Sequence, residues 1–312
     1  MIQRLVGERT LIAMIISIIL SVGLLFFFLP RVQEPMSHWL FTDPIHYPII
    51  SSLLSIGLLL SVTFLYRELQ VRKKLTSARS YYQPLLFSLL ALPITSSIPF
   101  VTVAAVGCFA LGAMALISIH RVDKASETIQ RVGIAIGVSV LLCPPLIWGA
   151  IIIVLMSIRL RHRSWRTGAI FILGVLFPFV LLTTFLLAMD WHEGSLSAFT
   201  SAVSNIPESQ NINIYSWVPA IAMLVFTMIR PMGDNTAASV IPIREMELLQ
   251  TQWIWLACFV ILGLIGLIPF QIAIFSAIIP SSALMTVSLE HSNKWWVPDL
   301  AIVILLSAIL LR

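Results

Sequence analysis

The residues able to do chemistry gather in short stretches between long apolar runs. The richest group on the expected outer face is Arg31, Glu34, His38, Asp43 and His46, all within the stretch Arg31 to Tyr47. A carboxylate at Glu34 or Asp43 has the chemistry of a general base toward an acceptor hydroxyl, and Arg31, His38 or His46 could hold a phosphate beside it. The same residues also read as a hydrated loop. Glu34-Pro35 and Asp43-Pro44 are turn or helix-start pairs, with the acid as cap and proline at the first helical position.

A second group, Asp190, Trp191, His192 and Glu193, offers two carboxylates and an imidazole to a divalent cation, or simply a hydrated edge around an interfacial tryptophan. Gly233-Asp234-Asn235 reads as a turn, since a phosphate-cradling loop needs several glycines between a strand and a helix. Cys108, Cys143 and Cys258 fall inside apolar runs with no metal-ligand spacing, and read as small apolar residues. No metal and no cofactor is expected.

The elements that would position these groups belong to a membrane. Of 312 residues, 59% are hydrophobic and 11% charged, against roughly a quarter charged in an average soluble domain. With a mean hydropathy of +0.98, the apolar surface exceeds what one water-soluble core could hide. Uncharged runs occupy 10–30, 48–66, 80–119, 132–158, 167–189, 217–229, 253–289 and 300–311, and a crossing needs about 20 apolar residues. Runs 80–119 and 253–289 are therefore expected to cross twice, the first as a helical hairpin broken around Pro93 and Thr95-Ser96-Ser97, the second broken at Pro269. Residues 10–29 behind Arg4 and Arg9 read as an uncleaved signal anchor.

Run 132–158 is resolved by charge. The basic stretches 67–79 and 159–166 should share the cytoplasmic side, so this run should pass out and back as two short helices meeting at Pro144-Pro145, packed inside the bundle or in locally thinned lipid. The expected fold is all-α: a polytopic transmembrane helix bundle, one integral domain over 1–312, amino terminus cytoplasmic. Its eleven spans are placed near 10–29, 48–66, 83–96, 99–119, 132–143, 146–158, 167–189, 217–229, 253–268, 270–288 and 297–311. In this layout 17 of the 19 basic residues are cytoplasmic, leaving Arg31 and Arg312 outside. Tyr66, Tyr81, Tyr82, Trp165, Trp191, Trp217, Trp253, Trp295 and Trp296 fall at the expected membrane boundaries.

The net charge of +5 is explained by topology and contact with anionic lipid, without a nucleic-acid partner. No Asp, Glu, Lys, Arg or His lies inside these uncharged runs, which argues against an ion-coupled carrier. Gly133 and Gly137 form a GxxxG pair that permits close helix approach inside the bundle.

Several segments resemble a family of polytopic inner-membrane proteins of Bacteroidota with no assigned activity. They are Gly133 to Gly137, Leu142-Cys143-Pro144-Pro145, Arg159 to Arg166, Ile172 to Pro178, Tyr81 to Phe87 and Lys294 to Leu300. More remotely, the order of span, outer loop with acid, span, basic loop and short helix pairs resembles C-type membrane glycosyltransferases. That resemblance implies a polyprenyl-phosphate sugar as donor and Glu34 or Asp43 as base. Two functions are thus carried forward: a non-catalytic inner-membrane component of the cell envelope, with the bilayer and other envelope proteins as partners, or a glycosyltransferase-like enzyme acting on a polyprenyl-linked lipid at the outer face.

Overall fold

The computed structural model describes residues 48–72, 82–95, 100–118, 125–159, 165–188 and 243–290, and these are helical throughout apart from short links. In chain order they form α1 (Pro48–Arg72), α2 (Tyr82–Thr95), α3 (Phe100–Ser118), α4 (Ala125–Leu142), a 3₁₀ turn (Pro144–Trp148), α5 (Gly149–Arg159), α6 (Trp165–Ala188), α7 (Ile243–Ile265) and α8 (Phe270–Glu290). Four stretches are long and apolar enough to cross a membrane: Phe100–Ser118, Trp165–Ala188, Leu248–Ile265 and Phe270–Val287. The bilayer is the environment these helices suit. The expected calls for residues 1–47, 189–242 and 291–312 lie outside the described residues.

Local chemistry sets the breaks. α4 ends because Pro144 and Pro145 have no N–H to continue its ladder; its last bond runs from the Cys143 N–H to the Ser139 carbonyl, and Cys143 itself is extended at φ −143°. α7 ends in a Schellman motif, in which Gly266 adopts φ 81°, its N–H donates to Gly263 O at 3.2 Å, and the Leu267 N–H donates to Leu262 O at 3.0 Å. α8 then starts after Pro269, with the Ala273 N–H on the Pro269 carbonyl at 3.0 Å. The two helices lie so close behind this turn that a Cβ on Gly263 would come within 2.6 Å of the Ala273 Cβ.

α4 and α6 run parallel, as their glycines show. Gln130 and Gly133 face Phe171 and Gly174, whereas Gly137, one turn on, faces Val175 and Pro178. The register rises in both helices together, so Ala125 and Trp165 stand at the same end of the pair. The intervening 3₁₀ turn and α5 therefore return the chain to the end from which α4 began. The GxxxG pair is thus used inside the bundle, against Gly174 and Pro178 of α6.

Three expectations are corrected. α4 spans 18 residues rather than a short arm of the run 132–158, since it starts at Ala125 and carries the exposed pair Glu127–Arg131. The run 80–119 does form two helices, but α2 packs chiefly on α8 and α1 rather than along α3. α1 continues through Arg72, so Arg67 sits in the helix and is buried rather than lying in a loop. An exposed Glu68–Arg72 pair, with Arg72 Nε 3.1 Å from Glu68 Oε1, closes that extension.

α8 is the central post, with 83% of its span window buried, and α6 is the rim, with 11%. The core joins Leu59 and Tyr66 of α1, Phe87 of α2, Phe109 of α3, Leu146 of the 3₁₀ turn, Trp255 and Phe259 of α7, and Phe275 of α8. Both Pro178 in α6 and Pro280 in α8 lie inside continuous helices, a placement that membrane bundles accommodate by packing and by nearby hydroxyl side chains.

Candidate functional site

Phe109 is the hub of the aromatic core. Its ring lies 5.9 Å from that of Trp255 and 5.1 Å from that of Phe259, and Trp255 in turn meets Tyr66 edge to face at 6.0 Å. Room for the Phe109 ring exists because α5 opens with Gly149, where a Cβ would come within 2.7 Å of Phe109 Cε2. Four helices, α1, α3, α5 and α7, are tied through one stack.

Polar residues flank that stack on α1 and α7. Tyr66 and Gln70 are four residues apart on α1, and Gln252 and Trp255 three apart on α7, so each pair shares a helix face. Gln70 and Gln252 therefore each lie within about one helical turn of the Tyr66–Trp255 contact. All four side chains are 0–1% exposed. Tyr66 Oη, both polar atoms of Gln70, Gln252 Oε1 and Trp255 Nε1 find no hydrogen-bond partner among the described residues. Gln83, Ser139 and Ser276 add further such atoms on α2, α4 and α8. Other buried hydroxyls are satisfied locally: Thr63 donates to Leu59 O and Leu60 O at 2.9 Å, and Ser282 and Thr286 donate to Ile279 O and Ser282 O at 2.8 Å.

A buried polar group left without a partner costs about 1–3 kcal/mol, while a folded domain is stable by only about 5–15 kcal/mol. Five such atoms on α1 and α7 approach the whole margin, so they are a feature of the interior that packing alone leaves unexplained. Amide, indole and phenol groups donate and accept hydrogen bonds without taking up or releasing protons near neutral pH. Arg67, next to Tyr66 in sequence, is buried and engaged in a contact of its own.

The sequence-derived candidates Arg31, Glu34, His38, Asp43 and His46 lie outside the described residues, as do Asp190, His192, Glu193 and Gly233 to Asn235. Of the cysteines, Cys143 is buried, Cys108 and Cys258 are half-buried, and all three are free thiols. Among the described residues no group of three or more His, Cys, Asp and Glu could hold a metal ion. Tyr66 is fully enclosed, with Trp255 edge to face against it, whereas Trp165 is 89% exposed at the start of α6. Gln70, Gln252 and Trp255 were not singled out by sequence. The available signal was a polar and an aromatic residue repeated at helical spacing near the end of two separate apolar runs.

No protein-family model, curated protein or solved structure matches the chain.

Proposed function

We propose that this chain is a multi-pass, non-catalytic component of the bacterial inner membrane that packs laterally against an apolar span of another envelope protein. The reading is supported by the contrast between α8 and α6. α6 is held along one narrow line, with Gly174 and Pro178 buried against α4. Its remaining circumference is apolar and open. Leu173, Phe177, Leu181 and Phe185 repeat every fourth residue, each about half exposed or more, and Leu176 and Val180 run beside them. Residues four apart form the ridge that seats in the groove of a neighbouring helix.

A photoactivatable cross-linking residue at Leu173 or Phe177 in the full-length protein, irradiated in native membranes, tests this. One stoichiometric protein adduct at both positions, and none from a probe at the enclosed Ala273, is the expected result. Adducts with lipid alone would overturn it. The glycosyltransferase-like alternative rests on Glu34 and Asp43 and is decided by their isosteric variants. The resemblance to the Bacteroidota family contributes no activity to either reading.

A further inference from the structure

We propose that α6 is hinged at Pro178, so that its arm 165–177 stays fixed on α4 while its arm 179–188 swings as a unit. This goes beyond the lateral packing role and does not rest on it. Three observations locate the hinge. First, Pro178 has no N–H to give the Gly174 carbonyl one turn back, and its ring crowds that carbonyl, so the helix loses stiffness at this step. Second, the clamp on α4 stops at the same residue. Gly133 lies against Phe171 and Gly174, and Gly137 against Val175 and Pro178, whereas no residue of 179–188 is buried among the described residues. α4 itself ends at Leu142, soon after Gly137, while α6 continues to Ala188. Third, the swinging arm is softened from within: the Thr183 and Thr184 hydroxyls donate to the Phe179 and Val180 carbonyls at 2.8 Å, a back-bonding that bends helices.

Pro280 supplies the contrast. It withholds a donor from the Ser276 carbonyl in the same way, yet every residue of 273–287 is buried, so the helices packed on α8 hold both sides of the break in line. α6 packs chiefly on α4 and has such a clamp on one side of its proline only. The hinge also divides the exposed ridge, with Leu173 and Phe177 on the fixed arm and Leu181 and Phe185 on the swinging one. A partner span seated on all four residues would hold the arm straight, and this consequence alone rests on the lateral packing reading.

The test uses the full-length protein in nanodiscs, with Cys108, Cys143 and Cys258 replaced by alanine and spin labels on two cysteine pairs. Leu264→Cys, exposed at the end of α7, carries one label in both pairs. The other label is on Phe185→Cys of the swinging arm or on Leu173→Cys of the fixed arm, both exposed positions. Phe185 stands about 10 Å beyond the hinge, so a swing of about 20° carries its label sideways by about 4 Å. Double electron–electron resonance is therefore expected to give a 185–264 distance distribution about 4 Å broader than the 173–264 one. Pro178→Ala is expected to bring the two to equal width. Equal widths with Pro178 in place would overturn the proposal, and this comparison requires no variant at Pro178 to fold. A 185–264 distribution that stays broad in folded Pro178→Ala protein would overturn it as well. The cross-linking test of the lateral partner is a separate measurement, so either reading can fail alone.

Discussion

Gly133 of α4 and Gly174 of α6 meet backbone to backbone. A Cβ on Gly133 would lie 2.5 Å from the Phe171 carbonyl oxygen and 2.9 Å from the Gly174 Cα. The obstruction is main chain on both sides, which no side-chain rotation relieves. Gly133→Ala and Gly174→Ala are each expected to push the helices apart and cost about 1–3 kcal/mol. Gly57→Ala is the control, since nothing lies within 4 Å of a Cβ there, and better helix propensity favours it by up to ~1 kcal/mol. Unfolding titrations in mixed micelles measure all three, and equal behaviour of Gly57 and Gly133 variants would contradict the packing.

Trp255→Ala removes the ring that touches both Tyr66 and Phe109. Its expected cost is about 3–5 kcal/mol, as for other large buried aromatics, and Trp255→Phe should recover most of the packing. Gly149→Ala should act on the same hub by displacing Phe109. Combining Gly149→Ala with Trp255→Ala is then expected to cost less than the two separate effects added together, because the residues share a neighbour. A double-mutant cycle checks this.

The parallel course of α4 and α6 predicts a labelling pattern. Cysteines replacing Glu127 and Trp165, both exposed near the starts of their helices, should react with a membrane-impermeant maleimide from the same face, in a background lacking Cys108, Cys143 and Cys258. The distribution of arginines predicts that this face is the cytoplasmic one, so labelling should require opened cells. Labelling from opposite faces would contradict the register of the glycine contacts.

Glu34→Gln and Asp43→Asn keep side-chain shape and remove charge. For a non-catalytic component, both variants should complement a deletion strain and leave its lipid-linked glycan profile unchanged. Accumulation of a polyprenyl-linked sugar in either variant would instead establish the glycosyltransferase-like alternative, because a general base that has lost its carboxylate loses rate by orders of magnitude.

The sequence makes the helical class plain, because uncharged runs near 20 residues long admit little else in a bilayer. The division at Pro144-Pro145 was legible only with the basic stretches on either side, since a run of 27 residues could also be one tilted helix. Helix ends were less legible. Hydropathy reports where a run enters lipid, not where a helix starts, so α7 was expected from 253 although it begins at Ile243. Least legible was the polar cluster. Gln70 and Gln252 stand near the ends of apolar runs, where an amide ordinarily faces water, and their burial depends on helices supplied by distant segments. A search for charged groups passes over them for the same reason.

The Schellman turn at Gly266 closes with contacts among residues 262–268, so the reversal that delivers α8 depends on nothing remote. α8 is nevertheless the helix on which α1, α2, α3 and α7 pack, and the ribosome makes it after the first three of these. α1, α2 and α3 are thus made before the helix that gives them a common neighbour. Completion of the bundle is consequently tied to the emergence of this late pair, and a nascent chain stalled before Phe270 would present Phe87 and the inner faces of its neighbours to lipid or to a membrane chaperone.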